Sequence, residues 1–496
     1  MSDPPYPLWS FREDVHLEPD PGSGCLLIHS RWDDLRISMP GAPLLEALRR
    51  MTLGPISLDN VLRGERERRE LFRLLDGLQH LVVRSFGLAP ERPLISVVPL
   101  DPQARFELPE TPSANPVRLS RFALIRSDSR GYCVESPLAL HRVLLHQGQA
   151  VTELGELIRP VVPAEIGRPA QEVIRYLTAA GMLVETRAGG PFQPLRFAED
   201  TDPALALWTP FDLMFHTRSM PGRNDQDFGA VFPLGEQGAV EPVVKPPMAD
   251  DAISLPRPEW DALLAADPPM TAAIEGNDRT DGCPEDPLTL GELAGLLYRT
   301  ARLRSLIGSR DTDSTTTTSD RPYTSHGGSY ELELYAVIDR CADLPRDAYH
   351  YDPLRHVLEP LNAKPPDVDE LMEMGRVLAG LERRPPMLLI ITARFRRLSW
   401  KYDGLGYSLA LTNVGALTQT LSLVGTAMGV ATRGLDATDV EVVARVLGLD
   451  WRVESGVGGL AVGRRAAAAR APGHPAHPVN DAEWSELARA VLTGRD

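Results

Sequence analysis

The chain has 496 residues, 43% hydrophobic and 24% charged, an ordinary globular balance with room for three or four domains of about 100–200 residues. Its formal net charge of −16 argues against a general affinity for nucleic acid phosphates. The N-terminus MSDPPYPLWSFRED has no basic region followed by an apolar run, and no uninterrupted apolar stretch of about 18 residues occurs, so neither a signal peptide nor a membrane span is expected.

The four cysteines, Cys25, Cys133, Cys283 and Cys341, form no CxxC pair, which points to a reduced cytoplasmic protein with free thiols. Forty-five prolines, about 9% of the chain against an average near 5%, cluster between recognisable segments and mark boundaries. These give two small modules over 1–110 and 111–190, a proline-rich linker or arm over 191–285, and a larger domain over 286–496.

In the first module CLLIHS and DDLRI read as short strands. GAPLLEALRRM has helical spacing, with Leu44, Leu45, Leu48 and Met51 on one face. ISLDNVL predicts a second short helix, and RERRELFRLLDGLQHLVVRSFGL a helix running into a strand. The second module repeats the order. FALIRSDSRGYCVESPLALHRVLL gives two or three strands, VTELGELIRPVV a helix, and PAQEVIRYLTAAGMLVE a longer helix ending at Gly181 before a strand. The reading is a degenerate repeat of a winged-helix-like module. In the arm, WTPFDLMFHTRSM is an apolar and aromatic cluster that packs against a domain, and 243–281 is read as a linker crossing the surface.

From Asp286 the text becomes regular. TLGELAGLLYRTARLRSLI predicts a long helix, with Thr289 as N-cap and Glu292 at capping-box spacing. DTDSTTTTSD is low complexity and read as a mobile loop. YELELYAVIDRC is a strand with Leu332, Leu334, Ala336 and Ile338 on one face, and AYHYDPLRHVLEPL a hairpin turning at Asp352-Pro353. PMLLIITARF is a buried strand. The run from Leu409 to Val430 is a long, nearly uncharged helix expected at a core or subunit interface. DATDVEVVARVLGL is a short helix with Asp436 placed to cap it, and GLAVGR a closing strand. His216 and His350 have no second ligand at metal spacing, so no metal is expected. No GxSxG, P-loop or GxGxxG stands in its required context.

Three stretches of the last domain resemble the SagB-type dehydrogenases, flavin enzymes of the nitroreductase superfamily that act on thiazole- and oxazole-modified peptides. They are RPYTSHGGSYELELY with YHYDPLRHVLEPL, then RRLSWKYDGLGYSLALTNVGAL, then MGVATRGLD, VLGLD and GLAVGR, in order over roughly 180 residues. The chain upstream resembles the paired winged-helix modules of some relatives, with WTPFDLMFHTRSMPGR as the joining segment. The resemblance implies an α+β fold: a C-terminal FMN-binding nitroreductase-like domain preceded by two winged-helix-like modules.

It also implies site residues. Arg302 and Arg304, on the opening helix, and Arg464 and Arg465, after the last strand, are candidates for the FMN phosphate, where forked guanidinium donors suit an anion. Arg321, Ser325, Gly327 and Gly328 form the loop beside the flavin, with glycines allowing close approach to a planar ring. Lys401 and Tyr402 match the family's Lys-Tyr pair, a base that removes a proton and a phenol that orients or relays it. Tyr407 and Asn413 line the site, and Gly429, Ala431 and Thr432 present backbone donors. His326 departs from the family, standing where a small residue normally lies beside the flavin, on the substrate side.

The expected activity is FMN-dependent oxidation of azolines to thiazoles or oxazoles in a ribosomally made precursor peptide, with dioxygen as acceptor. The first two modules are expected to bind its leader or dock on a cyclodehydratase partner, and the domain to form a homodimer. Two other readings stay open: a flavin oxidoreductase on small molecules, and a flavin-free scaffold of a peptide-modifying complex.

Overall fold

The computed structural model describes residues 6–186, 194–233, 241–277, 286–308, 318–465, 486 and 489, apart from 21, 63, 90, 91, 130 and 436. The chain divides into two compact units, Met1–Asp227 and Phe228–Asp496.

The first unit contains the same series of elements twice. Strand β1 (Tyr6–Phe11) leads into a meander of β2 (His16–Asp20), β3 (Cys25–His29) and β4 (Asp34–Ser38). Helices α1 (Ala42–Leu53) and α2 (Glu65–Gly77) follow, then β5 (Val82–Ala89) and β6 (Arg92–Pro99). β5 returns antiparallel to β1, and Ile56, between the helices, bridges to Trp9. The second series is β7 (Val117–Leu119), the meander β8 (Leu124–Asp128), β9 (Gly131–Glu135) and β10 (His141–Leu145), helices α3 (Gly148–Gly155) and α4 (Arg168–Ala179), and β11 (Leu183–Glu185). As β5 does with β1, β11 pairs antiparallel with β7, and Val161, between the helices, bridges to Val117.

The two series share one sheet, in the order β1-β5-β6-β10-β9-β8, and one core in which Phe86 and Ile95 meet Val143, Val173 and Ile174. The short helix expected in ISLDNVL is a single 3-10 turn, Leu58–Asn60, with no side-chain cap. Two helices complete the unit, α5 (Ala198–Thr201) and α6 (Pro210–Arg218); Thr209 caps α6 by accepting from the Asp212 N–H. In the second helix of each pair, apolar residues at i, i+3 and i+4 face the core: Leu71 and Leu75 in one, Val173, Ile174 and Leu177 in the other.

The second unit is a seven-stranded antiparallel sheet between two helical layers. Its elements are β12 (Ile253–Ser254), α7 (Trp260–Ala266), α8 (Met270–Glu275), α9 (Leu290–Ala301), β13 (Ser305–Ile307), β14 (Thr318–Asp320), β15 (Leu332–Ile338), β16 (Ala348–Asp352), β17 (Val357–Pro360), α10 (Pro365–Leu378), β18 (Met387–Arg394), α11 (Arg396–Ser399), α12 (Gly406–Met428), β19 (Val430–Gly434), α13 (Val440–Leu447) and β20 (Glu454–Arg464). The sheet order is β12-β17-β16-β15-β18-β20-β19, and β13 pairs with β14 apart from it.

Alternation builds the two faces. Leu332, Leu334, Ala336 and Ile338 of β15 join Met387, Leu389 and Ile391 of β18 under α9 and α12. Tyr335 and Val337 join Leu388 and Ile390 under α10 and α13. Both faces are covered, so every residue of β15 and β18 is buried.

Several expectations change here. The stretch read as a surface linker contributes β12, an edge strand paired with β17, and two short helices. The opening helix stops at Ala301, because Arg302 leaves the helical region (φ −57°, ψ 154°), so neither Arg302 nor Arg304 lies on it. The cap of α13 is Asp439, which accepts from the N–H groups of Glu441 and Val442; Asp436 lies outside the described residues, as do Cys283 and most of DTDSTTTTSD. Cys25, Cys133 and Cys341 are free thiols. Among the described residues no helix is long and apolar enough to cross a membrane, and no His, Cys, Asp and Glu cluster could hold a metal.

Candidate active site

The loop 325–330 is a tight turn made by three departures from ordinary backbone, interrupted at Ser329. Gly327 (φ +64°), Gly328 (φ +63°) and Tyr330 (φ +43°) all lie in the left-handed region. A neighbour requires the first glycine: a β-carbon at 327 would stand 2.0 Å from the Tyr402 hydroxyl and 3.2 Å from the Lys401 amine. The loop folds against the turn between α11 and α12, where Lys401 Nζ donates to the Gly327 carbonyl (3.2 Å). Lys401 and Tyr402 are both partly exposed there.

Asn413, fully buried in α12, holds the other side of the loop. Its Oδ1 accepts from the His326 N–H (2.9 Å) and meets His326 Nδ1 (2.9 Å). Its Nδ2 donates to Ser325 Oγ (3.2 Å) and Glu331 Oε1 (2.9 Å), and Ser325 Oγ accepts from the Tyr330 N–H (3.0 Å). The partners of Asn413 are thus side chains and one loop amide. Burial raises the Glu331 carboxyl above its ordinary value, more than the Asn413 bond and the nearby arginines lower it.

Arg397 is buried beneath the loop and donates to the Ser329 carbonyl (2.8 Å) and the Glu241 carbonyl (2.7 Å). Burial, then repulsion from Arg394 and Arg321, pulls it down to about 10. Glu331 and Arg397 carry the site's geometry but were not singled out in the sequence. Their signal is charge interrupting apolar text, Glu331 just before the strand Leu332–Ile338 and Arg396-Arg397 before Leu-Ser-Trp.

Ser325, His326, Gly327, Asn413, Lys401 and Tyr402 therefore converge. A cleft of about 690 Å³ opens beside them, lined in part by Phe395, Tyr402, Tyr407, Val440, Trp451 and Val457. Tyr407 is half exposed. Arg321 is buried and donates to the Leu332 carbonyl (3.4 Å), while its Nε and Nη2, and Glu331 Oε2, have no partner among the described residues. Orphaned buried donors of this kind fit a carbonyl-rich ligand.

The proposed phosphate arginines do not form one cluster. Arg302 donates to the Tyr298 carbonyl (2.8 Å), lies over the Tyr298 and Trp260 rings (4.6 and 5.2 Å), and is lowered by burial. Arg304 faces Asp320 at 3.8 Å. Arg464 is at the opposite end of α9, gripped by Glu292 (2.9 Å); twelve helical residues span roughly 18 Å. Arg465 donates to the Gly276 carbonyl (2.9 Å), and its N–H to the Gly429 carbonyl (3.2 Å). Gly429 closes α12 in the left-handed conformation, and Ala431 and Thr432 belong to β19, the sheet's edge strand. At about 1.5 Å per residue, Gly429 lies roughly 24 Å along α12 from Asn413.

Comparison with known proteins agrees with this architecture. Residues 117–225 match the cyanobactin oxidase ThcOx family, and residues 286–464 the Nitroreductase family. A Methanocaldococcus jannaschii protein named among the nitroreductases is 26% identical over 155 residues, 30% of this chain and 70% of that protein. The Escherichia coli microcin B17-processing protein McbC is 29% identical over 142 residues, 27% of this chain and 50% of McbC, so this match spans half of McbC's length. The solved E. coli microcin synthetase McbBCD complex with truncated pro-MccB17 bound aligns over 54% of this chain and 95% of that chain, at 20% identity and a TM-score of 0.30. Residues 286–464 thus match the Nitroreductase family, and a segment upstream of them, residues 117–225, matches the cyanobactin oxidase ThcOx family.

Proposed function

We propose that this protein is an FMN-dependent oxidase that converts azolines in a ribosomally made peptide to thiazoles or oxazoles. The observation that carries the reading is the convergence of Lys401 and Tyr402 on the Gly327 turn, beside an aromatic cleft. Aromatising an azoline removes two electrons and two protons. Bound FMN would supply the two-electron acceptor, with dioxygen reoxidising it. The chain's own task is to hold the ring in place and to take a proton from carbon.

Lys401 is the base in this reading: its amine is held at the turn, and the residue is partly exposed. Tyr402 orients it, and Asn413 fixes the loop through Ser325, His326 and Glu331. Arg321, Ser325, Gly327, Gly328 and Asn413 would lie along the ring, with residues 429–432 and the arginines at one end of α9, Arg302 and Arg304, or at the other, Arg464 and Arg465, towards the phosphate. The roughly 24 Å between Asn413 and Gly429 favours a homodimer in which each site draws on both subunits. α12 offers such an interface, with Tyr407 and Leu411 exposed on its outer side. The repeated first unit would act as a winged-helix-like pair that binds the leader of the precursor peptide or a cyclodehydratase.

The test is an absorbance spectrum from roughly 300 to 550 nm, before and after adding FMN, followed by azoline turnover. Flavin bands that survive gel filtration are expected. Lys401→Ala is expected to lower turnover about 100- to 10,000-fold while retaining flavin, the range for losing a positioned base. A protein that retains no flavin, or a fully active Lys401→Ala, would overturn the reading.

A further inference from the structure

The first unit contains a cavity of about 600 Å³ between α2 and the β1–β5 face of its sheet, within the usual size of ligand pockets. Trp9 and Arg84 are direct cross-strand partners on its floor. The Arg84 guanidinium carbon lies 3.4 Å from the Trp9 ring centroid and 5.2 Å from that of Phe106. Trp9 meets Phe72 of α2 at 5.3 Å. The aromatic rings cover the flat face of the guanidinium, and its donors lie around the edge.

Within the first unit, what sets Arg84 apart from the other buried or partly buried arginines is its lack of an acid. Arg12 is paired with Asp14 and Asp225, Arg118 with Glu199 and Asp200, Arg142 with Asp225, and Arg175 with Glu172. Buried charges are normally matched in this way. No carboxylate among the described residues pairs with Arg84. Burial pulls it down to about 10, and the neighbour offsetting this is the Tyr176 phenol. Arg69 and Arg73 of α2 add two further cations at the cavity wall, Arg69 lying 3.9 Å from Glu65. Asp76 and Glu107 also line it, and Asp76 is engaged by the Gln79 amide (2.6 Å).

We propose that this cavity binds a peptide segment in which an acidic side chain is flanked by apolar ones, its carboxylate meeting Arg84 and its neighbours packing on Trp9, Phe72 and Phe106. Charge complementarity fixes the acid: a partly buried, unmatched cation in a chain of net charge −16 selects an anion locally. The apolar walls exclude a ligand that is mostly charge. A peptide suits the setting because, unlike a free anion, it carries apolar side chains beside the acid that can pack on Trp9, Phe72 and Phe106. The assignment deepens the proposed peptide binding by the first unit and makes no use of the flavin site.

Calorimetric titration of the full-length protein tests it. The probes are two synthetic decapeptides of leucine and alanine around a central residue, glutamate in one and glutamine in the other. The glutamate peptide is expected to bind at least tenfold more tightly. Arg84→Met keeps the aliphatic packing, strands no acid, and should abolish that preference; Arg73→Gln, on the outer wall, should weaken it about threefold. Equal binding of the two peptides, or an undiminished preference in Arg84→Met, would overturn the proposal. So would glutarate competing as strongly as the peptide, which would mark a small-carboxylate site. Because binding alone is read, a negative result leaves the oxidase reading intact.

Discussion

At Gly327 two requirements coincide, a left-handed backbone and space for the Tyr402 hydroxyl 2.0 Å from any β-carbon. Gly327→Ala is therefore expected to cost about 1–2 kcal/mol in backbone strain alone, and to lower azoline turnover at least 100-fold by pushing Tyr402 and Lys401 out of place. Adding Tyr402→Phe should recover much of the lost Tm without restoring turnover, separating the clash from the chemistry. Asn413→Ala leaves the His326 N–H and the Glu331 carboxyl without their partner, at about 1–3 kcal/mol each; denaturant unfolding reads that loss. A third residue-scale expectation concerns pH. His350 sits between Glu359 (2.8 Å) and Glu333 (3.3 Å), fully buried. Burial disfavours its charge most strongly, yet the two carboxylates outweigh this and hold it above 6.5, while Glu333, despite burial, is held below 4.5 by Arg394 and His350. A raised histidine stabilises fully below 6.5 and loses that contribution as pH rises through its folded value; a lowered glutamate stabilises above 4.5 and loses it in acid. Stability should peak between these limits, and His350→Gln should flatten the alkaline side of the denaturation midpoint against pH.

Individual elements were legible where the signal is local. The capping box at Thr289 and Glu292 is present, with the Thr289 hydroxyl accepting from the Glu292 N–H (3.2 Å). The alternation of Leu332, Leu334, Ala336 and Ile338 places them in one core, and the Asp352-Pro353 hairpin forms as read. What sequence left hidden depends on distant partners. β12 is two residues long and exists because β17 offers it an edge, so no periodicity announces it. The end of α9 at Ala301 was invisible because apolar text continues past it; Leu303 and Arg304 turn away to bond the Pro353 and Asp320 carbonyls. Asn413 stood out as a polar residue in an apolar helix, but its partners, 82 to 88 positions away, could not be read from spacing. Two changes test the cap of α9 by thermal unfolding. Thr289→Ala should cost about 1 kcal/mol. Glu292→Ala should cost more, since it also releases Arg464 from its paired contact (3.0 and 2.9 Å).

Across the whole molecule, the faint likeness between LFRLLDGLQHLVV and VIRYLTAAGMLVE corresponds to a repeated order of elements, down to the single bridges at Ile56 and Val161. The sharing of one sheet by the two copies was not legible, because β6 pairs with β10 across a long irregular stretch. The proposed dimer makes its own demand. Leu411 lies on the outer side of α12, 39% exposed in the single chain. Leu411→Arg is expected to give monomers by sedimentation and to release bound flavin, while the circular dichroism of each subunit stays unchanged. A dimer that survives this change would place the interface elsewhere. One further contact has a wider meaning: the Arg464 N–H donates to the Asp286 carbonyl (2.8 Å), so the first and last residues of the nitroreductase match touch. A domain that leaves where it enters is a cassette. It can be lifted out of one gene and dropped into another, or permuted so that its chain begins at an internal turn, with its hydrogen-bonded sheet kept whole.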